Sequence, residues 1–123
     1  RGDAMPDGWH RERFGAPAAP AYARALTCDE VVGIVEFDVG NQRKREGRLQ
    51  QAQSAYESAR HHFPDFAEAH ASAGAVAQLL GALDYSLEAY RDAQRVNPGL
   101  PGVAANLALL AAEREHGRLP LPP

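Results

Sequence analysis

Apolar residues recur every three or four positions over most of this chain, which is the spacing of one face of an α-helix. Val31, Val35 and Val39 follow at intervals of four. A second series closes at a proline and consists of Leu49, Ala52, Tyr56, Ala59 and Phe63. Five helices are predicted, over about 28–46, 49–63, 66–80, 84–96 and 101–115. No segment alternates in the way that a β-strand requires, so the chain is predicted to be all-α.

Residues that start and stop helices mark the predicted ends. Thr27 and Glu30 have the spacing of a capping box, and Gly47 is placed to end the first helix. Asp65 is expected to cap the third helix, with Glu68 three positions on. Pro101 suits the first turn of the fifth helix, because proline lacks the N–H that is unpaired there.

The pattern repeats when the chain is shifted by 34 residues. The coinciding positions are Gly40 with Gly74 and Ala108, Leu49 with Leu83, Ala52 with Ser86, Tyr56 with Tyr90, Ala59 with Ala93, and Pro64 with Pro98. Small residues at fixed positions let paired helices approach closely, and a tyrosine fills the space beside them. The proline ends each unit before the next begins.

In these residues the chain resembles the tetratricopeptide repeat (TPR) family, as two full repeats (33–66 and 67–100) and the first helix of a third, ending near 115. The fourth position of each repeat departs from the family pattern, with Glu36, His70 and Ala104 in place of an aromatic residue. The eleventh position also departs from it, with Arg43, Ala77 and Ala111 in place of tyrosine. The resemblance implies a short right-handed α-solenoid of antiparallel helix pairs, whose first helices line a concave groove that binds peptides or extended protein segments.

The resemblance places the following residues in that groove: Phe37, Asp38, Asn41, Lys44, Arg45, Ser72, Ala75, Leu79, Asn106 and Leu109. Among them Asp38, Ser72 and Asn106 share the sixth repeat position and form a polar ladder that is able to hydrogen-bond an extended backbone. The alternative is that these three are ordinary solvated helix residues. Chaperone-binding members hold a terminal carboxylate with a set of groove residues of which only Asn41 is present, so chaperone tails are disfavoured as partners.

Composition excludes several other classes of protein. The 123 residues carry a formal charge of −3 with a pI near 5.9, so no basic surface of the kind that binds nucleic acid is expected. No apolar run approaches the roughly 18 residues of a membrane span, and a soluble protein without membrane insertion is predicted. Neither histidine spacing nor the single Cys28, which has no identifiable base beside it, indicates a catalytic or metal site. We therefore expect no cofactor and no enzymatic activity.

The chain divides into an irregular segment (1–26), a helical domain (27–116) and a proline-rich tail (117–123). The leading hypothesis is a protein-interaction module with an unidentified protein or peptide partner. One alternative is an accessory or regulatory domain of a larger enzyme, such as a transglutaminase-like or peptidase protein, whose catalytic part precedes residue 1. Another is self-assembly, with a homodimer formed through the fifth helix or a cap formed by Trp9, Phe14 and Tyr22. The compartment stays open, with the cytoplasm slightly favoured.

Overall fold

Five α-helices make up the fold in a computed structural model, which describes residues 25 to 118. They are α1 (Cys28–Arg45), α2 (Leu49–His62), α3 (Ala67–Leu79), α4 (Leu83–Val96) and α5 (Val103–Arg118). No strand occurs within the described range. Each helix packs against the next one along the chain, and the short connections make neighbours antiparallel. The predicted all-α arrangement of five helices in hairpins is confirmed.

The start of α1 is the capping box that the sequence predicts. The Thr27 backbone N–H donates to Glu30 Oε1 at 2.9 Å, and the Glu30 backbone N–H donates to Thr27 Oγ1 at 3.1 Å. Two of the backbone donors that every helix start leaves unpaired are satisfied in this way. The position where the chain enters the helical domain is therefore set by side chains local to it.

The ends of α1 and α3 are the same structure, one repeat apart. Gly47 and Gly81 both have positive φ, at 78° and 83°, a conformation that favours glycine. After the first, the Arg48 N–H donates to the Arg43 carbonyl. After the second, the Ala82 N–H donates to the Ala77 carbonyl. These bonds form a Schellman motif in both places. The internal repeat is thus present in the backbone as well as in the sequence.

Two predicted helix starts are wrong. The residue that caps α3 is Phe66 rather than Asp65, and it makes no side-chain capping bond. Its ring instead packs against Phe63 and Phe37, with centroid distances of 5.3 and 4.8 Å, so apolar packing sets this start. Pro101 lies in a turn ahead of α5, because Gly102 follows it with a φ of 84° that no helix contains.

Tyrosines fill the space between the two helices of each hairpin. A Cβ placed on Gly40 would lie 2.5 Å from the Tyr56 ring, and one on Gly74 would lie 2.9 Å from the Tyr90 ring. Both tyrosines are buried, as are the alanines that surround them. Only glycine allows the ring of the second helix to lie this close to the backbone of the first.

The two ends of the stack differ in what they expose. The sequence predicts that Val103, Leu107, Leu110 and Ala111 of α5 stay partly exposed. Leu107 and Ala111 do so, but Val103 and Leu110 are buried, because they face α4 and join its core with Tyr90. The apolar surface that α5 exposes is therefore smaller than predicted. The homodimer through α5 stays a prediction. Exposed valines lie instead on α1, at the opposite end. Within the described part of the chain, none of the helices combines the length and apolar character that crossing a membrane requires.

Candidate functional site

The predicted groove residues lie on α1, α3 and α5 at positions related by the repeat. The end of α3 is linked to the second half of α5, because Gln78 Nε2 donates to Glu113 Oε1 at 3.1 Å. Ala75 packs against the core that joins α4 to α5. Residues one helical turn from these contacts, four positions after Ala75 and four positions before Glu113, therefore share one surface. Two of them, Leu79 on α3 and Leu109 on α5, were predicted groove residues.

Leu79 and Leu109 form the apolar part of this surface. They are the most exposed large apolar residues in the described chain, at 63% and 61%. Ala75 lies one turn before Leu79, and Ala105 one turn before Leu109, so small side chains adjoin both leucines. We call this surface, formed by Ala75, Leu79, Ala105 and Leu109, the leucine patch.

One member of the predicted polar ladder holds the tyrosine of the preceding hairpin, because Asn106 Nδ2 donates to Tyr90 Oη at 3.3 Å. Ser72, a second member, has the equivalent repeat position relative to Tyr56 and is partly buried. Burial raises the pKa of both tyrosines, so both stay neutral near pH 7. Asp38, the third member, is exposed. A role for the ladder in binding stays a prediction, and Asp38 is the member best placed for it.

Asn41 and Phe37, also predicted for the groove, contribute to packing. Tyr56 Oη donates to Asn41 Oδ1 at 2.5 Å. The ring of Phe37 lies 4.8 Å from that of Phe66 and 5.8 Å from that of Tyr56, measured between centroids. Both residues are only half-exposed. They therefore leave less of their surface for a partner than the resemblance implies.

Charge changes sign across the groove. Lys44 and Arg45 are exposed in the last turn of α1, and Arg45 Nη2 donates to Gln42 Oε1 at 2.8 Å. Glu113 is exposed in the matching turn of α5. Leu79 of the leucine patch lies between these ends, because it occupies on α3 the repeat position that Arg45 has on α1 and Glu113 on α5. A bound segment would meet cations at one end and a carboxylate at the other.

A cluster of polar side chains that the sequence analysis did not find lies where α2, α3 and α4 meet. Arg60 is at its centre, with its side chain only 13% exposed. Its Nε donates to His70 Nδ1 at 2.8 Å, its Nη1 to Tyr85 Oη at 2.6 Å and its Nη2 to Asp92 Oδ2 at 2.8 Å. Tyr85 also donates to Glu57. These contacts span 32 residues of sequence, so no local motif marks them.

The protonation states of this cluster follow from burial. His70 is buried, its Nδ1 accepts from Arg60 and its Nε2 lies 2.6 Å from the Pro64 carbonyl, so Nε2 carries the proton. Burial lowers the pKa of this imidazole. Burial and the hydrogen bond to Glu57 raise the pKa of Tyr85 to about 12. Both ring nitrogens of His70 and all three nitrogens of Arg60 are engaged, so the cluster acts as a tie between helices.

An open cleft of about 730 Å³ adjoins this cluster and is lined in part by Ser54, Ser58, His61 and Arg95. Over residues 25 to 118 no three His, Cys, Asp or Glu side chains are grouped so that they could hold a metal ion. No family model and no curated protein matches the chain. The chain is thus an all-α protein of stacked helical hairpins, with an exposed apolar surface on α3 and α5.

Proposed function

We propose that this protein is an interaction module that binds a peptide or an extended protein segment in the groove of α1, α3 and α5, as a short TPR-like right-handed α-solenoid. The observation that carries the proposal is the exposure of Leu79 and Leu109, at 63% and 61%, on helices that repeat one another's positions. Burying one such side chain contributes roughly 1.5 to 3 kcal/mol, which favours a bound partner over water. Polar residues on either side of the patch would orient that partner.

The groove favours a particular chemistry in its ligand. A large apolar side chain fits the leucine patch, while an acidic residue of the same segment suits Lys44 and Arg45 at the α1 end. A basic residue at the other end suits Glu113. Asp38 has an exposed carboxylate that accepts hydrogen bonds from backbone N–H groups of an extended chain. Together these features describe a segment with an apolar anchor and charges of opposite sign at its two ends.

A displayed library of random peptides tests the proposal, because it samples many ligand sequences at once and requires no chosen partner. Selection on the full chain should enrich sequences with one large apolar residue and an acidic residue on one side of it. Titration of a selected peptide should then show binding that is lost in the double variant Leu79→Asp/Leu109→Asp. Asp38→Ala, which removes an exposed side chain, reports on the polar part of the groove.

Leu26→Asp is the matched control, because Leu26 is an exposed leucine that lies outside the groove. It should bind the selected peptide as the wild type does, and circular dichroism should show that all variants keep their helices. Enriched peptides that bind the double variant as tightly as the wild type would show that the groove is not the binding surface. Failure to enrich any peptide would argue against a peptide-binding module.

A further inference from the structure

The helix α1 carries an apolar face that no described residue covers. Val31, Val32, Val35 and Val39 are exposed by 46%, 41%, 55% and 39%. Positions 28, 32, 35 and 39 follow at steps of four, three and four, so Cys28 and three of the valines form one stripe. Gly33 and Gly40, which are buried against α2, lie on the opposite side of the helix. We call the exposed side of α1, formed by Cys28, Val31, Val32, Val35 and Val39, the valine face.

The position of the valine face distinguishes it from scattered surface residues. Five of the eight large apolar residues that are exposed in the described chain lie on α1 or immediately before it. The other three lie on or next to the groove helices α3 and α5, while α2 and α4 expose none. A contiguous apolar surface on one helix is the kind of patch that marks an interface.

Charge along α1 indicates what fits this face. The first turn of the helix carries the acidic residues Asp29 and Glu30, and its last turn carries the basic residues Arg43, Lys44 and Arg45. Two further carboxylates, Glu36 and Asp38, lie at the middle of the helix. An identical helix laid antiparallel would place its basic end against this acidic end, and the reverse would hold at the other end. Valine would meet valine in the middle. The two charged ends and the valines between them are therefore complementary to themselves under a two-fold rotation, with Glu36 and Asp38 near the axis.

We propose that the valine face binds a second copy of this chain, with α1 packed antiparallel against α1 of the copy. Centring the pair between Val35 and Val39 sets each of these valines against the other in the second copy. In the same register Asp29 lies opposite Arg43 of the second copy, on the same flank of the stripe. The side chain of Asp29 is 75% exposed although His62 Nδ1 lies 3.3 Å from it, and that of Arg43 is 36% exposed although its Nη1 lies 3.4 Å from Glu46 Oε1. Both can take part in such a pair.

The inference is independent of the peptide groove, because it concerns the valine face of α1 rather than the leucine patch. A contact formed by one helix from each copy is small, so the dimer is expected to be weak and to depend on concentration. Sedimentation velocity on the full chain should show a shift from monomer toward dimer between about 10 µM and 1 mM. A chain that stays monomeric over this range overturns the proposal and points to another cover for the valine face.

Substitutions separate this face from the rest of the surface. Val35→Asp/Val39→Asp should abolish the shift toward dimer, while Leu109→Asp, which also adds a carboxylate at an exposed apolar residue, should leave it unchanged. Circular dichroism should show equal helix content in both. A dimer that survives the valine substitutions would use another surface, and one that is lost with Leu109→Asp would use the groove. Either result overturns the proposal.

A charge reversal tests the antiparallel arrangement directly. Asp29→Lys should place like charges opposite each other in its own dimer, as should Arg43→Glu, and each alone should weaken dimerisation by about tenfold. When the two variants are mixed, the lysine of one faces the glutamate of the other, and the original pair of Asp29 and Arg43 re-forms at the other end of the same flank. The mixture should therefore dimerise as the wild type does. A mixture no better than its components contradicts the antiparallel pairing.

Discussion

The contact between Gly40 and Tyr56, and its repeat between Gly74 and Tyr90, gives the sharpest test of how the hairpins are held together. A Cβ at residue 40 would lie 2.5 and 2.6 Å from two ring atoms of Tyr56. At residue 74 the matching distances to Tyr90 are 2.9 and 3.0 Å. Carbon atoms pack best at about 3.5 to 4.0 Å. An added methyl group must therefore displace the ring or separate the helices, and it must do so further at Gly40.

The size of the effect follows from two opposing contributions. Overpacking of a well-packed core costs about 1 to 3 kcal/mol. Replacing glycine by alanine inside a helix stabilises it by about 1 kcal/mol. We therefore expect Gly74→Ala to lower the free energy of unfolding by about 0 to 2 kcal/mol, and Gly40→Ala to lower it more. Tyr56 has little freedom to yield, because it is fully buried and its Oη is bonded to Asn41.

Urea denaturation followed by circular dichroism measures both variants. Ala108→Gly is the matched control, since Ala108 has the same repeat position on α5 but is exposed and has no tyrosine against it. Its free energy of unfolding should fall only by the difference in helix propensity between alanine and glycine, about 1 kcal/mol. If Gly40→Ala and Gly74→Ala instead raised the stability by the amount that Ala108→Gly loses, the rings would not be in tight contact with the backbone, and the packing argument would be refuted.

Three further substitutions test single features. Burial holds the pKa of His70 below its usual value, so the unfolded chain takes up this proton first as the pH falls. The free energy of unfolding should drop below about pH 6.5, less steeply in His70→Gln, and equal slopes in urea titrations would contradict this. Gly81→Ala should cost about 1 to 2 kcal/mol in the same assay because of its positive φ, whereas Gly99→Ala, without that constraint, should be nearly neutral. Thr27→Ala should cost about 1 kcal/mol by removing the capping box of α1, and an unchanged melting temperature would show that the box contributes nothing.

The fold could be predicted because its determinants are local or periodic. The spacing of Leu49, Tyr56 and Phe63 predicts a helix, and the shift of 34 residues predicts that the next hairpin repeats it. Capping chemistry was less reliable. Thr27 does cap its helix. At α3 the N-cap is Phe66 instead of Asp65, because the contact of the Phe66 ring with Phe37 on α1 outweighs one capping hydrogen bond. The residues around position 65 do not show that a distant phenylalanine will pack there.

The surface was harder to predict than the fold. Leu79 and Leu109 were placed in the groove through the repeat positions, and both are exposed. Asn106 also follows its repeat position, yet its contact with Tyr90 depends on how two hairpins stack. Arg60 hydrogen-bonds with residues of two other helices, and these partners are separated from it by 10 to 32 positions. On α1 the valines recur at helical spacing, which cannot by itself say which face a neighbour covers.

The Schellman motifs at Gly47 and Gly81 give the fold a property that reaches beyond its present length. Because the backbone leaves α1 and α3 in the same way, and α2 and α4 end with the same bond, from Phe63 to Ala59 and from Asn97 to Ala93, residues 67 to 100 form a unit whose exit matches its entrance. A second copy of this unit inserted after Leu100 meets no new turn geometry. The architecture is therefore open to growth by duplication. The added unit would not reproduce the hydrogen bonds of Arg60, because Gln94 occupies the corresponding position in the second unit.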